Sequence, residues 1–361
     1  MTIDKSQMKR WARKHFRGFE NILLPSFTPD LKALDEEGIR HDVRHSIANG
    51  VFSVFAVGMW LSPQELRRYF EIVVDEAGGR IAVGSPLIEP NREAVHGVLR
   101  AAKEAGLTHV LAHPFHDFHA TSEDELFEFY RDIIENTDLA VAVWATDGPQ
   151  FMNLHPSGVS VNVLDRVADY ANVVAIKLMT TLDLPVVYEI CERLHERVLI
   201  GGVHLGMLPF LSRHYGTQWS GAWTIEALQT PKQPLVNDYL NLLLEGRTQD
   251  AMTAYWKIKP GYDALYGLMA PMLPMGVHPF THLKYYQWCS GGNGGLLREP
   301  MDPNEHRFPL RPEERDNIRS SYSLIGIEPT TDSDECFVVG RAAYTRGARA
   351  ADMPVKPTYI E

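Results

Sequence analysis

The stretch Asn172-Val173-Val174-Ala175-Ile176-Lys177 places four consecutive apolar residues, three of them β-branched, ahead of a single lysine. A run this short, apolar on both faces, reads as a strand buried in a parallel sheet. Similar runs recur on either side of it, at residues 22–24, 51–57, 80–84, 109–112 and 139–144 before it and at 198–200 and 217–223 after it. The intervening stretches 61–76, 93–105, 122–135 and 162–170 have helical character, and Ser62-Pro63-Gln64-Glu65 and Ser122-Glu123-Asp124-Glu125 carry the residue types of helix N-caps. Eight strand-and-helix units predict an α/β fold, a (β/α)8 barrel. A doubly wound sheet has the same rhythm, but no Gly-x-Gly-x-x-Gly turn follows the first strand and no phosphate loop is present.

Beyond Pro231 the strand signal stops, and residues 235–244, 249–268, 280–289 and 312–324 read as helices appended to the barrel. The expected organisation is a helical extension over 1–20, the barrel over 21–232, a helical region over 233–327 and an extended tail over 328–361. The tail is expected to stay mobile or to dock on a neighbouring subunit, and the glycine- and proline-rich segment 290–303 to be a flexible connector.

The apolar content of 45% is that of a globular chain, and 46 acidic against 35 basic residues give a net charge of −11. That balance, without a clustered basic face, argues against nucleic acid as a partner. Three widely spaced cysteines, Cys191, Cys289 and Cys336, fit neither a disulfide framework nor a thiolate metal site. No apolar run is long enough for a membrane span and the first residues do not resemble a secretory signal, so a cytoplasmic location is expected.

Barrel active sites lie at the C-terminal ends of the strands, which draws attention to Ser26, Met59, Trp60, Ser85, His113, His116, Trp144, Asp147, Lys177, His204 and Ser220. An ammonium at the end of a buried strand is costly, and burial lowers its pKa and makes it a nucleophile toward carbonyls. Position alone leaves two readings for Lys177: this one, or a side chain that reaches the rim or pairs with a carboxylate. The spacing His113-x-x-His116-x-x-His119 invites a metal reading, but it contains Pro114 and lacks a carboxylate partner, so no metal is expected. His41 and His45 are expected to face solvent.

The order of several segments resembles the dihydrodipicolinate synthase / N-acetylneuraminate lyase family. The run ending in Lys177 is similar to the family's Schiff-base strand, Pro25-Ser26-Phe27-Thr28 with Asp35 to its opening strand and turn, and Gly50-Val51-Phe52-Ser53 through Val57-Gly58 to its second strand. Leu61-Ser62-Pro63-Gln64-Glu65, His282-Leu283-Lys284 to Cys289 and Leu297-Arg298-Glu299-Pro300-Met301 resemble later family segments, and the likeness extends over about residues 20–326. The resemblance implies a homotetramer, or at least a homo-oligomer, and lyase chemistry on 2-oxo acids or related carbonyl compounds. It also implies that Lys177 forms a covalent imine without any other cofactor.

Three departures from the family bear on mechanism. Trp144, in Val143-Trp144-Ala145-Thr146-Asp147-Gly148-Pro149, stands where the family has a proton-relaying tyrosine, and an indole has no useful acid–base pKa. The family's Gly-Thr-Thr-Gly-Glu loop is shortened to Gly58-Met59-Trp60, and His113-Pro114-Phe115-His116 replaces its Pro-Tyr-Tyr. His113, then His204, are the expected substitutes in proton transfer, while Ser26, Met59, Trp60, His116, Trp144, Asp147 and Ser220 are expected to contact substrate. The aromatic mouth points to an aromatic or hydrophobic substituent on the substrate. The alternatives are a hydratase-aldolase or decarboxylase variant, or a barrel that has lost catalysis and binds a metabolite.

Overall fold

The computed structural model describes residues 4–114, 118–145, 147–179, 183–221, 224–271, 279–299, 308–354 and 356–360. Eight parallel strands form one sheet: β1 (Gly18–Leu23), β2 (Ser53–Ala56), β3 (Ala82–Pro86), β4 (His109–Ala112), β5 (Ala140–Ala145), β6 (Val173–Leu178), β7 (Leu199–Gly202) and β8 (Trp219–Gly221). The order is β7-β6-β5-β4-β3-β2-β1-β8, so the sheet curls into the expected barrel. Between β7 and β8 the Ser220 hydroxyl donates to Gly202 O at 2.5 Å and helps to close the ring.

Around the barrel run α2 (Glu36–Ala48), α3 (Pro63–Ala77), α4 (Arg92–Ala105), α5 (Glu123–Glu135), α6 (Val161–Val167), α7 (Leu184–Leu194) and α8 (Leu208–Tyr215), following α1 (Met8–His15). The start of α3 has the predicted chemistry: Ser62 Oγ accepts from Glu65 N while the Glu65 carboxylate accepts from Ser62 N. Ser122 caps α5 in the same manner, accepting from Glu125 N at 3.3 Å.

The chain enters the barrel earlier than expected, since β1 starts at Gly18, inside the segment assigned to the N-terminal extension. The apolar pattern hides this because Glu20 interrupts it. Before β1, α1 lies across the N-terminal end of the barrel, burying Met8, Ala12 and then Phe16. The Phe16 ring packs on Phe52, His109 and Trp219 at centroid distances of 5.3, 4.9 and 5.7 Å, so one end of the barrel is stopped with aromatic groups.

The appended region comprises α9 (Leu235–Leu244), α10 (Thr248–Met269), α11 (Phe280–Cys289) and α12 (Pro312–Ser323). Every residue of α11 is buried, which is why its sequence shows little amphipathic pattern. The final segment corrects the expected extended tail: it forms α13 (Asp334–Val339) and α14 (Arg341–Thr345) and docks on its own chain. Phe337 packs on Tyr285 and Trp288 at 4.8 and 5.6 Å, and Arg346 pairs with the buried Asp35 at 2.8 Å. Each contact is made with residues remote in sequence, so composition alone made the segment look unstructured.

The expected flexible connector is also corrected over its described part. Asn293 is buried and its N–H donates to Asp42 at 2.6 Å, while a Cβ on Gly292 would meet Gln287 O at 2.8 Å. These glycines permit close packing. His41 and His45 lie half-buried against this segment, 2.9 Å from Gly291 O and 3.0 Å from Ser290 Oγ respectively, so they do not face open solvent.

Candidate functional site

Lys177 belongs to β6 itself, between Trp144 on β5 and Gly201 on β7. Side chains alternate along a strand, and this register turns Lys177 into the barrel. Its exposure is 7%, and Nζ makes no hydrogen bond or ion pair among the described residues. Burial pushes the amine down to about 8, against an opposing pull from the Glu20 carboxylate. The nitrogen lies 5.1 Å from the Phe55 ring centroid and 5.4 Å from that of Trp144.

Room for the amine comes from a glycine on β8. A Cβ on Gly221 would lie 2.6 Å from Lys177 Cε and 2.7 Å from Nζ. Above the amine opens a cavity of about 450 Å³, mouth included. Ile22, Val57, Pro86, Leu111, Met179 and Phe280 contribute to its wall, together with Phe55 and Trp144. Among the described lining residues Lys177 is the one side chain with a charge, and none carries a hydroxyl or amide.

The other expected site residues divide. Trp144 lines the cavity, and His113 packs on it at a tilt of 58° with ring centroids 4.9 Å apart, half-buried at the end of β4. His116 lies outside the described residues, and Asp147 is exposed beyond β5. Trp60 is buried one layer back, edge-on to cavity-lining Phe280 at 5.3 Å, and Met59 packs half-buried on the main core.

The expectations for four residues are corrected. Ser220 and Ser85 point out of the barrel, donating to Gly202 O and Ala56 O, because the alternation that sends Gly221 and Pro86 inward sends their neighbours outward. Ser26 sits behind the mouth, where its Oγ accepts from Asn293 Nδ2 at 3.1 Å and lies 3.3 Å from Lys284 Nζ. His204 caps the turn after β7 and faces Tyr262 and Tyr266 of α10 at 5.4 and 6.0 Å, while its neighbour Val203 takes the cavity wall. Burial there depresses the His204 pKa.

Residues that strand-end reasoning missed lie deeper or come from remote segments. Glu20 and His109 form a buried pair inside the barrel at 2.6 Å, and Phe280 arrives from α11. Glu20 was legible as a charge beside Phe19, but with Asn21 after it, it precedes the place where the apolar run seemed to begin. Glu89 directly follows cavity-lining Ile88, and burial raises its carboxyl to about 7, near neutrality.

Residues 15–220 match the dihydrodipicolinate synthetase family. The 4-hydroxy-tetrahydrodipicolinate synthase of Methanospirillum hungatei is 27% identical over 296 residues, covering 79% of this chain and 94% of the relative. That of Methanothrix thermoacetophila is 26% identical over 306 residues, covering 82% and 95%. Among solved structures, dihydrodipicolinate synthase from Oceanobacillus iheyensis superposes with a TM-score of 0.69 at 19% identity, covering 89% of this chain and 98% of its own. N-acetylneuraminate lyase from Fusobacterium nucleatum, complexed with pyruvate, gives 0.68 at 15%, covering 87% and 98%. These structural likenesses concern the fold. Among the described residues no helix is long and apolar enough to cross a membrane.

Proposed function

The chain belongs to the dihydrodipicolinate synthetase family, and we propose that it is a Schiff-base lyase in which Lys177 attacks a carbonyl compound bearing a large apolar or aromatic group. The observation that carries this reading is a desolvated amine, its pKa depressed to about 8, at the base of an apolar cavity. The neutral amine adds to the carbonyl carbon, and loss of water leaves a protonated imine. That cation accepts the electron pair of a breaking C–C bond, giving an enamine and a free carbonyl fragment; where a C–O bond breaks instead, the cation accepts the pair of the adjacent C–H bond and the enamine so formed expels the oxygen as water. Protonation of the enamine carbon and hydrolysis by water then release product and the free amine. The apolar wall keeps water from the imine until the bond has broken.

Proton transfer needs a group other than Trp144, whose indole has no suitable pKa. His113, packed against that indole, is the proposed acid and base. Substrate size is argued from the wall: without hydroxyls or a second cation among its described residues, the cavity favours apolar surface over a small, highly charged oxo acid.

Borohydride reduction in the presence of pyruvate, aliphatic 2-oxo acids and aromatic 2-oxo acids, followed by intact-mass measurement, tests the reading. A stable adduct on Lys177, largest for the aromatic compounds and absent in Lys177→Ala, is expected. If no carbonyl compound is trapped, the barrel is instead a non-catalytic binder. If pyruvate alone is trapped, the size argument fails.

A further inference from the structure

Beneath Lys177 the barrel holds an acid–base pair that the chemistry above leaves unused. Glu20 on β1 and His109 on β4 are 1% and 0% exposed, with Glu20 Oε1 2.6 Å from His109 Nε2. At that separation the two side chains share a short hydrogen bond. The far side of the ring is fixed as well, since His109 Nδ1 lies 2.8 Å from Thr108 Oγ1, and that hydroxyl is also 3.0 Å from Val83 O. A Cβ on Gly84 would fall 2.3 Å from Nε2, so β3 carries no side chain there and leaves the ring its space.

The second carboxylate oxygen, Oε2, is buried with no hydrogen-bond partner among the described residues. An unsatisfied buried carboxylate oxygen is unfavourable unless a positive charge faces it. Glu20 pairs across the sheet with Gly221, and the space above Gly221 is filled by Cε and Nζ of Lys177. Carboxylate and amine therefore share one region of the barrel interior, and the carboxylate favours the charged form of the amine.

We propose that Glu20, held in place by His109, is the internal counter-charge for the cation that forms on Lys177. This inference rests on the Schiff-base reading. When the amine condenses with a carbonyl, one proton is taken up and one water leaves, so until the bond breaks the nitrogen is a cation facing a wall that supplies no anion among its described residues. Glu20 supplies that carboxylate from below, without touching substrate, and its hydrogen bond to His109 keeps it in place. It is a positioning residue.

The other titratable groups around the amine do not compete for this role: Glu89, beyond cavity-lining Ile88, exerts no resolved pull on the amine, whereas Glu20 does. His113 approaches from the mouth, packed against Trp144. Glu226 lies behind β1, on its outer face, 2.6 Å from Asn21 Nδ2 and 2.6 Å from Thr224 Oγ1. From below, α1 and the residue following it present Met8, Ala12 and Phe16, none of them titratable.

Glu20→Gln preserves shape and the contact with His109 while removing the charge. In the full chain, the pH midpoint for modification of Lys177 by methyl isothiocyanate, read by peptide mass spectrometry, is expected to fall by about one unit or more. With any carbonyl that the wild type traps, kcat is expected to fall at least about tenfold with KM little changed. Glu20→Asp restores the midpoint. If Glu20→Gln does not fold, the double variant Glu20→Leu, His109→Leu replaces the pair by apolar groups and is expected to show the same downward shift. An unchanged midpoint in whichever of these variants folds overturns the proposal, and so does a fallen midpoint that Glu20→Asp leaves unrestored. The modification needs no substrate, so failure of the wild type to trap any carbonyl would refute the Schiff-base reading separately.

Discussion

Replacing Lys177 by methionine removes the amine while keeping an unbranched side chain of similar length, and the structure states how stability should respond. The drop from the ordinary 10.5 to about 8 corresponds, at ~1.36 kcal/mol per tenfold change, to about 3 kcal/mol held against folding at neutral pH. The unfolded lysine keeps its proton up to near 10.5, whereas the folded one releases it near 8. Between those values the unfolded state binds more protons, so wild-type stability rises with pH across that window, and below it the whole penalty is present. Equilibrium urea unfolding at intervals from pH 7 to pH 10 is therefore expected to show Lys177→Met gaining on the wild type by about 3 kcal/mol at pH 7, the difference closing as pH rises. The change in that difference isolates the amine, because the packing change is common to every pH. A difference that stays flat across the range would mean that Lys177 is hydrated in the folded state, and the argument for its nucleophilicity would fall with it.

Other substitutions test the surroundings of the amine. Gly221→Ala places a methyl within 2.7 Å of Lys177 Nζ, so borohydride trapping is expected to slow at least about tenfold while the fold persists by circular dichroism. Ser220→Ala removes the hydroxyl that bridges β7 and β8; thermal unfolding should show a loss of about 1 kcal/mol with trapping unchanged, in keeping with a side chain outside the barrel interior. Glu65, bonded to Arg298 at 2.8 and 2.9 Å, has its carboxyl pulled from 4.5 down to about 2, chiefly by that guanidinium. Its contribution is present above pH 4.5 and is lost as pH falls through about 2, so acid unfolding of Glu65→Gln should start from a stability lower by roughly 2 kcal/mol and converge with the wild type at low pH.

The barrel could be read along the chain because each strand and helix is specified by neighbours in sequence. Four apolar residues before Lys177, a serine–proline start at Ser62 and Pro63, and recurrence of the unit are local signals, and the structure contains the elements they predict. Lys177 stood out for the same reason: a lone cation ending an apolar run is anomalous wherever the run folds. Boundaries were less legible. Glu20 and Asn21 concealed the first four residues of β1, and the helix expected over 162–170 stops at Val167.

Which way a side chain points, and what it meets, depends on register and on segments far apart in the chain. A shift of one residue turns Ser220 outward and Gly221 inward, so composition at a strand end does not identify the lining. The pairing of Glu20 with His109 joins strands 89 residues apart, and neither residue stands at the strand ends where barrel chemistry is sought. The final helices likewise owe their order to Phe337 meeting Tyr285 and Trp288 and to Arg346 meeting Asp35. Periodicity and propensity are properties of adjacent residues and survive in a linear reading; desolvation and charge pairing arise when distant residues share one interior, and they exist only after the chain has closed around them.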